Sequence, residues 1–268
     1  MPDTTPGQFG HLLIGQDRLF YSGLIGNSMR IRRLGGFAIY VSPDDGFEVS
    51  VNGGPWQRRE IVALMPFTEH RLRGDSNRMF DVMIESESVA PDDLAQLFDR
   101  ANSAGSSAQL ASHLRHAHRD LMQSRDAGGF SARQFDEYFL QTPLRPRSID
   151  GRIARMLGSD PADPEAETPL ASDLAAELGL STSRFLHLFK ANTGLPFRSH
   201  RMWKRARRFM DHAAAASSLT DVALDLGYPD SSHFSHSIRQ TYGLQPRSIR
   251  RGSQGLRVFS GEGYSLSA

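Results

Sequence analysis

The sequence predicts an α+β chain of two domains: a small N-terminal β-barrel or sandwich and an all-α C-terminal domain, joined by a helical segment. Three observations carry this. Residues 9–89 are divided into short β-branched and aromatic runs by clusters of Gly, Asn, Asp and Pro. From residue 91 the apolar residues switch to helical spacing. Residues 170–250 then carry one pattern, a short helix, a tight turn and a second helix, written twice. A chain of 268 residues is long enough for two separate cores.

The candidate strands are His11–Phe20, Met29–Val41, Phe47–Val51, Ile61–Leu72 and Met79–Glu85. Turn clusters such as Ser42-Pro43-Asp44-Asp45-Gly46 and Asn52-Gly53-Gly54-Pro55 separate them. Asp92–Arg100 reads as a short helix opened by Pro91, with acids in its first turn where the helix dipole favours them. Ser107–Ser124 carries Leu110, Leu114, Ala117 and Leu121 as a single apolar seam. The seam suits packing on the chain's own barrel or a two-helix dimer contact, and it is too short for a coiled coil. Ser131–Gln141 sets Phe135 and Phe139 on one side of a helix, and Arg147–Leu157 does the same with Ile149, Ile153 and Leu157. Gly158–Pro169, polar and rich in proline and acids, reads as a connecting loop. The chain thus divides into a barrel at 1–90, a helical segment at 91–146, a C-terminal domain at 147–252 and a tail at 253–268.

The repeated pattern is Leu170-x-x-x-Leu174-Ala175-x-x-x-Gly179-Leu180-Ser181, followed by Phe185, Leu188, Phe189 and Lys190. Its second copy is Leu219-x-x-Val222-Ala223-x-x-x-Gly227-Tyr228, followed by Phe234, Ile238 and Arg239. Alanine lets two helices approach closely, and glycine gives the turn its backbone freedom. This is helix-turn-helix grammar, in which the second helix enters the DNA major groove. Two copies, with Ala175 and Ala223 separated by 48 positions and a basic stretch between, are a far more specific signal than one. Together with Gly194 and the closing Gly243-x-x-Pro246-x-x-x-Arg250, they resemble the DNA-binding domain of AraC/XylS-type transcription regulators. The resemblance implies a regulator of double-stranded DNA, more often an activator than a repressor. It further implies a small-molecule effector, a homodimer, and RNA polymerase as an additional partner.

In the first recognition helix, Ser181 is the expected N-cap, and Phe185 and Phe189, four apart, must face the core. The resemblance then places Ser183, Leu186 and His187 toward bases, with Thr182, Arg184 and Lys190 on phosphates. In the second helix, capped by Asp230, Ser231, Ser232, Ser235 and His236 face bases and Arg239 a phosphate. His187 and His236 stand where these regulators commonly have arginine, so base readout there is expected to be weaker and pH-dependent unless both rings lie over the backbone. The basic stretch Phe197–His212 suits a structural helix with some phosphate contacts.

Charge divides the same way. Residues 170–252 hold 12 Lys+Arg against 6 Asp+Glu, whereas residues 1–169 hold 18 against 23, so only the C-terminal module invites a polyanion. With no cysteine there is no disulfide, thiolate metal site or cysteine nucleophile, which excludes the DNA-repair methyltransferases that carry a related DNA-binding domain. No apolar run is long enough for a membrane span, and the expected location is cytoplasmic, with no membrane partner.

Val62-x-Leu64-Met65-Pro66-x-x-x-His70 resembles a strand of the cupin-like sensor domain found in many AraC-type regulators. The fold class implied is therefore α+β, with an N-terminal cupin-like β-barrel, a helical dimerisation segment and an all-α double helix-turn-helix. The barrel has no His-x-His pair, and His11 and His70 alone do not make a metal centre, so neither metal, cofactor nor catalytic residue is expected. His116-x-His118 reads as solvated surface. Arg30, Arg32, Tyr40 and His70 are candidate effector contacts on the strands, although His70 equally suits a hydrogen-bonded barrel histidine. Two alternatives stay open: a cupin-type metal enzyme fused to a DNA-binding module, which bound metal would favour, and a ligand-independent DNA-binding protein, which a barrel filled by its own side chains would favour.

Overall fold

A computed structural model of the chain describes all residues except 1–9, 25–29, 45, 75–77, 125, 159–168, 213–216 and 267–268. The connecting loop expected at Gly158–Pro169 falls, apart from its two ends, outside the described residues, as does Met29. Eight strands come first: β1 His11–Ile14, β2 Arg18–Leu24, β3 Phe37–Val41, β4 Phe47–Val51, β5 Gln57–Arg59, β6 Ile61–Leu64, β7 His70–Arg73 and β8 Arg78–Ile84. Helices α1 Pro91–Asn102, α2 Ser107–Gln123 and α3 Ala132–Leu140 follow. The C-terminal part holds α4 Gly151–Gly158, α5 Ala171–Glu177, α6 Thr182–Thr193, α7 Phe197–Arg208, α8 Leu219–Asp225, α9 Ser231–Tyr242 and α10 Pro246–Ser253. A final strand, β9 Arg257–Ser260, closes the series.

Six strands form one sheet in the order β6-β3-β8-β2-β1-β9, and three form a second in the order β5-β4-β7. Alternation along β3 shows how the large sheet is used. Phe37, Ile39 and Val41 face a core shared with Leu94, Leu97, Leu110 and Phe139 of the helices. Ala38 and Tyr40 face the other way, into a core shared with Phe47, Val49 and Leu72 of the small sheet. With both faces covered, the strand is continuously buried.

Three expectations change. The run His11–Phe20 is not one strand but two, β1 and the start of β2, which pair antiparallel about a turn in which Gly15 N–H donates to Arg18 O at 2.8 Å. The strand anticipated over Ile61–Leu72 is two strands in different sheets, because Pro66 and Phe67, the latter at φ 61°, turn the chain between them. Within Met29–Val41 only Phe37–Val41 is a strand; Arg32 makes an isolated bridge to His70. Within the tail at 253–268, β9 pairs in parallel with β1, Leu12 opposite Val258 and Leu13 opposite Phe259, so the last strand among the described residues joins the sheet begun by the first. The strand β5, all polar and exposed, carries no apolar alternation from which to read it.

The helical segment packs on the large sheet. The seam residues Leu110, Leu114, Ala117 and Leu121 are all buried against it, which leaves them unavailable to a partner chain. His118, expected on a solvated surface, lies under this helix with its ring 4.3 Å from that of Phe80 and its Nε2 3.0 Å from Ser22 Oγ. Burial lowers its pKa to about 4, so the ring is neutral near pH 7. Its sequence neighbour His116 does face solvent.

Truncating the fully buried Leu114 to alanine is expected to cost about 2–5 kcal/mol of stability. Urea melts should give the same loss at every protein concentration; a loss that faded on dilution would place the seam in a dimer instead.

Candidate nucleic-acid interface and its link to the sheets

The two helix-turn-helix units are built alike, bond for bond. In the first, Gly179 at φ 64° turns the chain, its N–H donating to Ala176 O at 3.0 Å, and Leu180 N–H donates to Ala175 O at 2.8 Å. In the second, Gly227 at φ 69° donates to Leu224 O at 2.7 Å, and Tyr228 N–H to Ala223 O at 2.9 Å. A side chain at either glycine would strain the left-handed turn. Ala175 and Ala223 are fully buried where the paired helices touch.

Recognition helices α6 and α9 are capped as their sequences indicate. Ser181 Oγ accepts from Arg184 N–H, and Asp230 Oδ1 accepts from the N–H groups of Ser232 and His233 at 2.7 and 2.8 Å. Phe185 and Phe189 bury one face of α6, and Phe234 and Ile238 one face of α9. This leaves Thr182, Ser183, Arg184, Leu186, His187 and Lys190 exposed on α6, and Ser231, Ser232 and His236 exposed on α9. Ser235 and Arg239 are half-buried, giving them less reach than the sequence pattern alone assigns.

Between the units, α7 enters three cores. Phe197 packs with Phe185 and Phe189, Ala206 packs with Val222 and Phe234, and Trp203 packs with the sheet domain. Its basic face is largely committed. Trp203 Nε1–H donates to Glu85 Oε2 at 2.7 Å, and Arg207 Nε pairs with Glu85 Oε1 at 3.2 Å. Lys204 Nζ and His200 Nε2 reach Glu87 Oε1 at 2.8 and 3.0 Å. Burial opposes the Glu87 carboxylate, yet Lys204 and His200 hold its pKa well below the usual range. Lys204 and Arg207 are therefore paired with carboxylates of the sheet domain, which fits the structural helix expected of this stretch. Glu85 and Glu87 follow β8 directly, and nothing in their sequence announces the pairing.

The strap β9 adds to this junction. Arg207 donates to Gly15 O at 2.5 Å and to Tyr264 Oη at 3.1 Å, and Tyr264 donates to Asp211 Oδ1 at 2.7 Å. The Phe259 ring stacks on that of His11.

The candidate effector residues separate. Arg30 is exposed. Arg32, Tyr40 and His70 come together as a buried chain: His70 Nδ1–H donates to Thr68 O at 2.9 Å, and Tyr40 Oη lies 3.2 Å from His70 Nε2 and is hydrogen-bonded to Arg32. Burial lowers the His70 pKa to about 4, and both ring nitrogens are engaged within the chain. The sequence reading missed Asp81. Sheet register sets it opposite both Tyr21 and Tyr40, on the face of β8 shared with Met79 and Met83. Its signal was a lone acid among the apolar residues that follow Arg78 in the strand.

This architecture, two capped helices presented by a matched pair of turns, defines a helix-turn-helix DNA-binding domain. A family model described as a helix-turn-helix domain matches residues 174–252. The Escherichia coli K12 bifunctional transcriptional activator/DNA repair enzyme Ada is 34% identical over 95 residues, spanning 35% of this chain and 27% of that protein. The transcriptional activator RhaS of Escherichia coli O157:H7 is 33% identical over 86 residues, spanning 31% and 30%. The chain thus spans less than a third of the length of either relative. ToxT from Vibrio cholerae O395 has a similar fold, at a TM-score of 0.55 and 10% identity over 88% of this chain and 98% of that one.

Two measurements test the junction. Glu87→Ala removes the carboxylate of His200 and leaves Lys204 with Glu85 alone, at 3.5 Å, and should cost about 1–3 kcal/mol in a urea melt. At Asp81, surrounded by Tyr21, Tyr40, Arg32 and Tyr242, burial raises the pKa to about 7 against the pull of Arg32. The folded state holds this proton more tightly than the unfolded chain. Its stabilisation is full below about pH 4 and is lost as pH rises through about 7. Melting wild type beside Asp81→Asn should show the difference shrinking to wild type's disadvantage over that window. The comparison cancels His70 and His118, which act with the opposite sign.

Proposed function

We propose that this chain is a sequence-specific DNA-binding transcription regulator, an activator, in which the sheet domain answers to a small effector and sets the posture of the two recognition helices. The observation that carries the reading is the matched pair of capped, solvent-facing helices α6 and α9 on a basic domain. Ser183, Leu186, His187, Ser231, Ser232, Ser235 and His236 are assigned to bases, and Thr182, Arg184, Lys190 and Arg239 to phosphates. Activation is supported by the likeness to Ada and RhaS, both transcriptional activators. Effector response is supported by a ToxT structure, from Vibrio cholerae strain SCE256, that holds an unsaturated fatty acid and shares this fold at a TM-score of 0.50.

Homodimerisation and contact with RNA polymerase complete the proposal. The dimer must use a surface other than the α2 seam, which is spent on the sheet. One observation favours a regulator that senses nothing: the space between the two sheets is filled by Leu12, Ile14, Tyr40, Phe47 and Leu72. That filling excludes a large effector between the sheets and moves attention to the boundary with the helical domain.

The deciding experiment is binding to fragments of the protein's own upstream DNA at two salt concentrations. Wild type should select one fragment, and affinity should fall steeply with salt. The double variant His187→Ala/His236→Ala should lose at least tenfold in selectivity yet keep its non-specific affinity, since each base contact is worth about 1–3 kcal/mol. Equal selectivity in both proteins would remove these histidines from base readout; no selection by wild type at either salt would sink the reading of the chain as a sequence-specific regulator.

A further inference from the structure

Two hollows lie at the boundary between the sheets and the helical domain. The larger, of about 870 Å³, is an open groove bordered by Glu85, Glu87, Lys204 and Arg207, groups already paired with one another. The smaller, of about 70 Å³, is different. Its sheet side holds Tyr21, Arg32, Tyr40 and Asp81, and its helical side Met210 and Tyr242. Asp81 is 9% exposed, and its Oδ1 is buried with no hydrogen-bond partner. A buried acceptor left unsatisfied costs about 1–3 kcal/mol, so the arrangement calls for a donor.

We propose that this cavity is the binding site for a small neutral molecule that donates a hydroxyl or amide hydrogen to Asp81 and packs a short hydrocarbon end among the tyrosines and methionines. The proposal rests on the regulatory reading above and names the ligand class and place that reading lacks. Three features set the class. The volume suits about two waters, or a molecule of about three to five non-hydrogen atoms. A cation would meet the buried Arg32 guanidinium, and an anion the Asp81 carboxyl, so neither charge sign is favoured. The remaining wall is apolar, with Leu19, Leu34 and Met83 on the sheet side.

The site also lies against the second recognition helix. Tyr242 is the last residue of α9, and Arg33 N–H donates to Thr241 O at 3.0 Å in the same turn. Gly243, the C-cap, leaves so little room that a Cβ there would stand 2.8 Å from Arg32 Cγ. A molecule seated between Asp81 and Tyr242 therefore touches the element that ends the helix. If the ligand binds one posture of α9 better than another, DNA affinity must follow by linkage.

The test uses the full chain with methyl-labelled methionine, titrated with 1-propanol, 1,2-propanediol and propionamide. At least one probe should shift the Met83 and Met210 methyl signals saturably while leaving the exposed Met122 unmoved. Asp81→Leu should weaken that binding at least tenfold. Leu244→Phe, which fills the cavity and keeps the carboxyl, should do the same even if the first variant folds poorly. No saturable shift with any probe, or undiminished binding in a folded Asp81→Leu or Leu244→Phe variant, overturns the site and leaves a cavity for water only. The DNA-fragment assay at saturating probe judges the other reading separately: saturable binding that leaves DNA affinity unchanged confirms the site and sinks effector control through it.

Discussion

Two carboxylates at the end of β8 govern the arrangement of this molecule. Glu85 and Glu87 are buried, and a buried carboxylate is tolerated only beside a cation or a donor. The sheets supply neither in sufficient number. Helix α7 supplies Trp203, Lys204, Arg207 and His200, and it brings with it both helix-turn-helix cores, because Phe197 sits in one and Ala206 in the other. The relative posture of the DNA-reading helices is thereby tied to the end of a strand. The basic stretch that looks made for phosphate is, over its middle, an internal electrostatic joint.

A second polar centre lies beside this joint, and its logic is that of sheet register. Tyr21, Asp81 and Tyr40 stand side by side across β2, β8 and β3, so one face of three neighbouring strands gathers hydroxyls around a single acid. Arg32 reaches the same centre from outside the strands and meets the cap of α9. The carboxylates after β8 thus hold the helix that joins the two units, and the Asp81 centre faces the end of the second recognition helix.

The helical domain was the most legible part of the chain. Its alanines, glycines, caps and paired phenylalanines each have a local reason, and local reasons are visible in a linear text. Cap residues Ser181 and Asp230, and the buried pairs Phe185/Phe189 and Phe234/Ile238, lie where spacing puts them. The sheet domain was legible as strand-rich but not in its pairing, which depends on contacts between distant residues. Neither the split at Pro66-Phe67 nor the polar β5 follows from alternation. The Glu87–Lys204 and Trp203–Glu85 contacts join residues more than a hundred positions apart, and side chains of those types read as surface until a partner is known. The α2 seam shows the converse: periodicity established an apolar face, and only the fold established what covers it.

The parallel pairing of β9 with β1 bears on how the molecule is made. During synthesis β9 emerges only after the helical domain, so the β1 edge of the six-stranded sheet has no neighbour until both helix-turn-helix units have been made. An unpaired edge of this kind invites pairing with other chains. The nascent sheet domain is thus exposed to off-pathway association while the helical domain is being synthesised, and its edge is sealed only once that domain has emerged.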